Sequence, residues 1–384
     1  MMDRKKMVLS MLKREIAPGE VCYSRKSLSR LSALPEEKVL VIAGKSAETN
    51  GTLEKAVGHL DKAGAVATVE IYPGGEPTLD EVGQLAARAA EEKADWIVAL
   101  GGGSIIDSAK FTWAAYEHPE LNFAEPTEIP PLGEKAQLIA IPTTSGSGAE
   151  GSITAVISAA SSGQKMPHVS PEWIPRIVIL DPETTTGQPP SLTAQSAFDA
   201  LAHAFEAYVS RMSSPMVKTH AATAIRLIFN ALPISFSNPE DILAREALQL
   251  AAYHAGIAQN TASTGIVHGL SHGAGEALKL PHALATAFFL MPGLRYNEAH
   301  EKTAAEYDQL AVDTGTGNRS TLFTKVERLY LDTGLPASLA EMTGESPTVD
   351  QIEALTSSTA ADRCLRTNPI PVKVENLTEI LETL

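Results

Sequence analysis

A carboxylate and several imidazoles recur at helical spacing in the second half of the chain. Asp199 and His203 lie four residues apart, and His268 and His272 repeat that spacing. On a helix, this spacing puts two side chains on one face, one turn apart. One carboxylate and several neutral imidazoles are suitable ligands for a divalent ion such as Fe²⁺ or Zn²⁺. We interpret Asp199, His203, His268 and His282 as ligands of one metal ion that polarises a substrate oxygen.

The residues between the later histidines favour this interpretation over a simpler one. An Asp-x-x-x-His pair alone is more often a surface pair or a buried histidine with ordinary partners. A solvated face rich in histidine would carry Lys and Glu between its imidazoles. Here the intervening residues are small or apolar, which suits close packing around a site: Gly269, Leu270, Ser271, Gly273, Ala274 and Gly275.

Bulk composition indicates a soluble globular protein with room for two domains. The chain has 384 residues, of which 44% are hydrophobic and 20% charged. Its net charge of −15 argues against a nucleic-acid partner, because phosphate binding needs a basic surface.

The number of cysteines and the N-terminal sequence indicate the cellular compartment. Cys22 and Cys364 are the two cysteines, too few for a disulfide framework or a cysteine-based zinc site. The apolar run near the N-terminus is too short for a signal peptide, and no run approaches membrane-spanning length. We therefore expect a cytoplasmic protein with no membrane partner.

The pattern of apolar runs predicts two domains. Strands are expected at 39–43, 67–72, 96–100, 137–141 and 177–180, with a short one at 21–23, and helical segments separate them. This alternation predicts an α/β domain with a parallel, doubly wound sheet over residues 1–185. Strand-like runs then disappear, so residues 186–384 are expected to form an all-helical domain facing the first across a cleft.

A glycine-rich turn follows the third regular strand. Gly101, Gly102, Gly103 and Ser104 lead into a helix that also carries Asp107. Backbone N–H groups of such a turn, with the positive end of the helix dipole, can bind a phosphate. A tight turn without a ligand is the alternative, but three consecutive glycines exceed what a turn needs.

The next strand also runs into a loop of small residues. Thr143, Thr144 and Ser147 supply hydroxyls that suit contacts to a cofactor's phosphate, ribose or ring. The same composition would also fit a plain solvated loop.

Together these motifs resemble the group III metal-dependent, or iron-containing, alcohol dehydrogenases, over nearly the whole chain. The likeness is especially close to the alcohol dehydrogenase half of bifunctional aldehyde–alcohol dehydrogenases. It rests on GGGSIIDSAK at 101–110, IPTTSGSGAE at 141–150, FDALAHAFEAY at 198–208 and the histidine-rich stretch at 267–282.

The resemblance implies a Rossmann-like dinucleotide-binding domain, a helical domain, and NADPH or NADH beside Fe²⁺ or Zn²⁺ in the cleft. It implies an alcohol dehydrogenase or aldehyde reductase and, by analogy, a homodimer formed through the N-terminal strand. The family's metal ligands match Asp199, His203, His268 and His282, and a proton relay matches His272. Its pyrophosphate loop matches Gly102, Gly103 and Ser104, and its nucleotide-bordering loop matches Thr143, Thr144 and Ser147.

Two other function classes remain open at this stage. Dehydroquinate synthase-like proteins share this layout and use a metal without net redox chemistry, although they have a Glu in place of one ligand. A non-catalytic assembly protein could keep the fold, although intact ligands and an intact glycine loop argue against it.

Two positions bear on specificity. Gly44, Lys45 and Ser46 follow the first strand, where NAD-preferring relatives often carry an Asp that bonds the ribose hydroxyls. We therefore expect NADPH to be accepted, and Gly44 and Ser46 to contact the coenzyme; a plain turn with a solvated Lys45 is the alternative. Lys279 lies three residues before His282, so it could place a cation near the metal and favour an anionic aldehyde; a solvent-exposed lysine is the alternative.

Overall fold

A six-stranded parallel sheet forms the first part of the molecule. The computed structural model describes residues 16–158 and 165–384, so the N-terminal run weighed above as a signal peptide lies outside the described residues. The strands are β1 (Glu20–Tyr23), β2 (Lys38–Gly44), β3 (Val66–Tyr72), β4 (Trp96–Gly101), β5 (Gln137–Pro142), β6 (Thr154–Ser158), β7 (Lys165–Val169) and β8 (Ile177–Leu180). The parallel sheet has the order β1-β8-β5-β4-β2-β3, and β6 pairs separately with β7.

Helices alternate with these strands and then make up the second part. In the described chain they are α1 (Lys45–Thr49), α2 (Thr52–Lys62), α3 (Leu79–Glu92), α4 (Gly103–Glu117), α5 (Pro190–Val209), α6 (Pro215–Ser237), α7 (Ile242–Ala262), α8 (Ile266–Leu278), α9 (His282–Glu298), α10 (Glu301–Asp313), α11 (Arg319–Asp332), α12 (Leu339–Thr343), α13 (Val349–Ala361) and α14 (Val374–Glu382). Short 3₁₀ helices lie at Ser27–Ala33, Pro171–Trp173, Pro182–Thr184 and Arg363–Arg366. No described helix has the length and apolar character needed to cross a bilayer.

The central strands are apolar because helices cover both faces of the sheet. Leu40, Val41 and Ile42 of β2 are fully buried, and β4, β5 and β8 are buried in the same way. Alternate residues of these strands enter two separate apolar clusters, one on each face. A continuous apolar run is the pattern expected of such doubly covered strands.

The strand order brings the glycine-rich segments together at the carboxyl ends of the central strands. β3 lies on one side of β2 and β4 on the other, so the connections change direction between β2 and β4. Ligands of open α/β sheets bind at such a switch point, outside the carboxyl ends of the strands. Gly44 ends β2 and Gly101 ends β4 there. Gly101 also pairs in register with Pro142 of β5, and the Thr143 N–H donates to the Gly101 carbonyl at 3.0 Å.

Helix α7 joins the helical part to the loops that follow β5. The Gln249 amide donates to the Pro142 carbonyl at 3.3 Å, and the Asn260 amide donates to the Gly151 carbonyl at 2.7 Å. Between these contacts Gly148 and Gly256 meet backbone to backbone. A Cβ at Gly256 would lie 2.3 Å from the Gly148 carbonyl oxygen, so only glycine fits there.

The predicted fold class is confirmed, with two local differences. Every predicted strand is present, and the described residues beyond 190 are helices and connections. The segment after β2, predicted to be helical, forms two helices, and Gly51 adopts a left-handed conformation with φ of 79° between them. The antiparallel pair β6–β7 was not anticipated; it packs over α4 at the side of the parallel sheet.

The glycine contact between α7 and the loop after β5 can be tested by adding one methyl group. Gly256→Ala should lower the thermal unfolding midpoint, because the new methyl must displace the Gly148 backbone, at a cost of about 1–3 kcal/mol. Gly83→Ala is the matched control in α3, where a Cβ meets nothing within 4 Å. It should raise the midpoint slightly, since alanine favours a helix over glycine by about 0.5–1 kcal/mol. Equal shifts in both variants would contradict the close contact.

Candidate metal centre and coenzyme cleft

Three helices bring the predicted metal ligands into the core of the helical part. Asp199 and His203 lie one turn apart on α5, which is buried along nearly its whole length. His268 lies in the first turn of α8, and His282 is the first residue of α9. The side chains of Asp199, His203 and His268 are buried, and His282 is partly exposed.

Donor atoms of three of the four predicted ligands converge at distances that suit one ion, and the His203 nitrogens are not in that group. His268 Nε2 lies 3.7 Å from Asp199 Oδ1, and His282 Nε2 lies 3.4 Å from the same oxygen. One atom from each of these three residues falls within 4.8 Å of the others. Ligands about 2.1 Å from a tetrahedral ion are roughly 3.4 Å apart, so the spacing fits. The His203 ring packs on the His268 ring with centroids 4.3 Å apart.

Several polar atoms of this cluster have no hydrogen-bond partner, as expected of atoms that bind a metal. Asp199 Oδ1, His203 Nδ1 and His268 Nε2 are buried and have no hydrogen-bond partner. Buried polar atoms are nearly always paired, so three such atoms in one cluster are suited to binding a cation. The residues present therefore fit a divalent ion such as Fe²⁺ or Zn²⁺.

The pKa values of three ligands favour the forms that bind a metal. Burial raises the pKa of Asp199, but the surrounding imidazoles outweigh it and hold the pKa well below its usual value. Burial lowers the pKa of His203 to about 3, and burial also lowers the pKa of His282. An ionised carboxylate and neutral imidazoles are the ligand forms.

His268 differs because it faces two carboxylates. Burial lowers its pKa, but Glu206 and Asp199 outweigh burial and raise the pKa to about 10. Its Nδ1 lies 2.5 Å from Glu206 Oε2. The sequence interpretation did not include Glu206, although the residue lies seven positions after Asp199 and three after His203. That spacing puts all three on one face of α5 and could have identified it.

His272, the predicted proton relay, lies at the open side of the cluster. Its ring stacks on His282 with centroids 5.3 Å apart, and its side chain is 35% exposed. Its Nδ1 lies 2.7 Å from Asp362 Oδ2. The sequence interpretation missed Asp362, which lies 90 residues further along the chain and carries no local signal.

The predicted coenzyme residues meet at the switch point of the sheet. Gly102 precedes α4, and a Cβ at Gly102 would lie 3.3 Å from Thr144 Oγ1. A Cβ at Gly103 would lie 2.6 Å from Ser147 Oγ, so the two predicted loops pack directly against each other. The first turn of α4, which includes Ser104, presents N–H groups that have no intrahelical partner.

The remaining predicted coenzyme residues lie beside these loops. Gly44 precedes α1, where Lys45 and Ser46 are exposed. Gly44 is close to Ile105 at the start of α4: a Cβ there would lie 3.3 Å from Ile105 Cγ1. Asp107 accepts a hydrogen bond from the Val156 N–H through Oδ2 at 3.0 Å, so one of its oxygens links α4 to β6.

The predicted coenzyme loop contacts the helix that carries two of the predicted metal ligands. A Cβ at Gly146 would lie 2.9 Å from Ser196 Cβ, and Ser196 is three residues before Asp199 on α5. The predicted nucleotide loop therefore lies one helical turn from a predicted metal ligand.

The structure corrects the prediction for Lys279. This residue follows α8 in a left-handed conformation with φ of 58°, is exposed, and donates its ammonium to the Glu276 carbonyl at 2.9 Å. The cation thus binds the carboxyl end of its own helix, where the helix dipole favours positive charge. The expected cation beside the metal ligands, and with it the case for an anionic aldehyde, is not supported by this position.

Comparison with known proteins agrees with this geometry. The family model for iron-containing alcohol dehydrogenase matches residues 18–182, and that for the C-terminal part of the Fe-containing alcohol dehydrogenase family matches residues 193–384. An NADPH-dependent butanol dehydrogenase of Clostridium saccharobutylicum is 32% identical over 95% of this chain and 96% of its own. The bifunctional aldehyde-alcohol dehydrogenase AdhE of Escherichia coli is 31% identical over 90% of this chain and 42% of its own length.

Solved structures show the same architecture. An iron-containing alcohol dehydrogenase from Thermococcus thioreducens superposes with a TM-score of 0.89 at 32% identity, covering 96% of this chain and 99% of the other. A 1,3-propanediol oxidoreductase, 26% identical, superposes with a TM-score of 0.89, covering 97% of this chain and 99% of the other.

Removing the carboxylate ligand should abolish stabilisation by metal. Adding Fe²⁺ or Zn²⁺ to chelator-treated protein at about 100 times the dissociation constant should add about 2.7 kcal/mol of stability and raise the thermal midpoint. Asp199→Ala should lose this increase, because the only carboxylate among the four ligands is gone. His300→Ala, at an exposed histidine before α10, should keep it. If metal raised the thermal midpoint of Asp199→Ala as much as that of the unaltered protein, the ion would not be bound by Asp199.

Proposed function

Because this chain belongs to the iron-containing alcohol dehydrogenase family, we propose that Asp199, His203, His268 and His282 hold its divalent iron. The protein is an NAD(P)-dependent alcohol dehydrogenase that interconverts alcohols and aldehydes. The observation that carries the ligand assignment is the convergence of one carboxylate oxygen and two imidazole nitrogens, all buried or partly buried, within 4.8 Å.

The metal, its proposed ligands and the surrounding helices each contribute to the reaction. When bound, the metal supplies a Lewis acid at the substrate oxygen and the nicotinamide supplies or accepts a hydride. Asp199 provides one negative charge among neutral imidazoles and so limits the charge left on the site. The apolar helices around the cluster exclude water, which strengthens electrostatic interactions there.

His272 is proposed to carry the proton. Asp362 accepts from Nδ1–H, which leaves Nε2 as the nitrogen that can exchange a proton with the alcohol oxygen. The ring is accessible and stacks on His282, so this nitrogen lies beside the metal ligands. An imidazole so placed can donate a proton during aldehyde reduction and accept it during alcohol oxidation.

The coenzyme is proposed to bind at the switch point of the sheet. The amino end of α4 suits the pyrophosphate, since its N–H groups and dipole favour an anion. The contacting residues are those at the start of α1 and α4 and in the loop after β5: Gly44, Ser46, Gly101, Gly102, Gly103, Ser104, Asp107, Thr143, Thr144 and Ser147. The contact between Gly146 and Ser196 supports a nicotinamide end directed toward Asp199.

Other features of the protein follow from the same framework as proposals. We place the domain boundary near residue 185, between the end of β8 at Leu180 and the start of α5 at Pro190.

A homodimer through β1 is supported by the position of β1 at the edge of the sheet, where backbone groups can pair with a second copy. A cytoplasmic location is proposed because it would keep Cys22 and Cys364, which form no disulfide, as thiols.

We propose that the substrate is a small uncharged aldehyde. Three carboxylates, Asp199, Glu206 and Asp362, lie against the imidazoles of the site. With a divalent metal bound, Asp199 and Glu206 would offset its charge and leave no net positive charge to attract an anion, and Lys279 is engaged at its own helix end. The name of the butanol dehydrogenase relative fits an uncharged substrate.

A pair of aldehydes tests both the activity and this preference. With reduced coenzyme and iron-loaded enzyme, butyraldehyde should be reduced, seen as loss of nicotinamide absorbance. Its kcat/KM should exceed that of succinate semialdehyde by about tenfold or more, equivalent to about 1.4 kcal/mol. Lys279→Ala should leave this ratio unchanged. A higher kcat/KM for the carboxylate-bearing aldehyde would overturn the substrate proposal, and no turnover of either would overturn the activity.

Coenzyme preference can be tested at Lys45. The exposed Lys45 ammonium after β2 should favour the 2′-phosphate of NADPH, because no carboxylate occupies the three positions after Ala43. Lys45→Ala should raise the Michaelis constant for NADPH by roughly two- to fivefold, the scale of an exposed ion pair, and leave that for NADH unchanged. Lys62→Ala, at the exposed end of α2, should change neither constant. Equal effects on both coenzymes would contradict a contact to the phosphate.

A further inference from the structure

Glu206 is a buried carboxylate with no role in the ligand set. It lies on α5 less than one turn beyond His203 and its side chain is 2% exposed. Three N–H groups surround it. Oε2 lies 2.5 Å from His268 Nδ1, and Oε1 accepts from the backbone N–H groups of Val267 at 2.7 Å and His268 at 3.3 Å. The carboxylate therefore holds the first turn of α8 and the ring that this turn carries.

The start of α8 depends on this arrangement. Gly265, the residue before the helix, provides no side-chain cap. Instead Asn368 Oδ1 accepts a hydrogen bond from the Ile266 N–H at 3.1 Å. Glu206 Oε1 accepts from the N–H groups of Val267 and His268. A Cβ at Gly265 would lie 2.7 Å from Asn368 Oδ1 and 3.0 Å from Glu206 Oε1. The glycine thus leaves room for two distant side chains to bind the helix end.

Both Glu206 oxygens are used, so the residue is not placed to bind the metal itself. Oε2 faces Nδ1 of His268, whereas the nitrogen without a hydrogen-bond partner in that ring is Nε2. A carboxylate that accepts from Nδ1–H fixes the tautomer in which Nε2 carries a lone pair. It also fixes the rotation of the ring, so that Nε2 points toward Asp199 Oδ1.

We propose that Glu206 is a positioning residue for the metal: it sets the tautomer and orientation of His268 and anchors the helix that carries it. The proposal rests on the ligand set given above. Partners of this kind on a ligand histidine typically change metal affinity by 10–100-fold when removed. A purely structural role, as a cap for α8, is the competing explanation.

Glu206→Gln separates these two roles, because an amide has one acceptor oxygen where the carboxylate has two. If that oxygen accepts the Val267 and His268 N–H groups, the amide NH₂ faces Nδ1. The imidazole must then accept at Nδ1 and carry its proton at Nε2, where it blocks the metal. The variant should therefore keep the cap at the start of α8 but lose His268 as a metal ligand.

The measurement is titration of chelator-treated protein with Co²⁺, which reports affinity and, through its visible absorption, the ligand set. Glu206→Gln should bind Co²⁺ about 10–100-fold more weakly than the unaltered protein and with an altered spectrum. The metal-free variant should keep a thermal midpoint close to that of the unaltered protein. Glu276→Gln, an exposed substitution on the same helix, should change neither affinity nor spectrum.

The other outcomes have distinct meanings. Weaker binding with an unchanged spectrum would mean that Glu206 acts only through its charge, which overturns the positioning role. Unchanged binding with a lower metal-free midpoint would assign it to helix capping alone, which also overturns the role. If Co²⁺ binding is absent in the unaltered protein, or unaffected by His268→Ala, the ligand set itself is wrong.

Discussion

Burial of charge inside an apolar helical core is the constraint on which the site depends. Asp199 and Glu206 lie on one face of α5 with their carboxylates removed from water. Such burial is unfavourable unless each oxygen finds a partner. Glu206 finds three N–H groups, whereas Asp199 Oδ1 has only the nitrogens of His268 and His282 at 3.4–3.7 Å. A divalent cation among these atoms would balance the charges of the two carboxylates, as the proposed ligand set requires.

Small residues let the same core approach the predicted coenzyme loop closely. Gly148 and Gly256 let the loop after β5 meet α7 through backbone contact alone. Gly146 lies against Ser196, one turn before Asp199. Side chains at these positions would separate the coenzyme loop from the metal ligands. The glycines of this loop therefore set the spacing of the two sites as well as the shape of the turn.

Sequence patterns predicted the parts of the molecule that depend on local periodicity. The doubly covered strands, the helical half and the motif histidines all follow from spacing within a few residues. The β6–β7 pair did not, because its short strands have no long apolar run. Asp362 did not either, because its partner His272 is 90 residues away and only tertiary packing joins them.

Lys279 shows the converse, that closeness in sequence does not imply closeness in space. Helix α8 ends at Leu278, and the left-handed conformation of Lys279 turns the chain before α9 begins at His282. The lysine side chain consequently follows the axis of α8 back to the Glu276 carbonyl. Three residues that span a helix end and a turn can place two side chains in quite different surroundings.

The proposed roles of the two histidines of α8 show how one kind of hydrogen bond can serve two chemical purposes. His268 and His272 lie one turn apart, and each has a carboxylate oxygen beside Nδ1, at 2.5 Å from Glu206 and 2.7 Å from Asp362. Their side chains differ in exposure, 3% for His268 and 35% for His272. In the buried ring, Nε2 faces only Asp199 and its neighbours, which suits a fixed metal ligand. In the exposed ring, Nε2 remains open to substrate and water, which suits a group that must gain and lose a proton. Burial, rather than the hydrogen-bond partner, therefore separates the two roles.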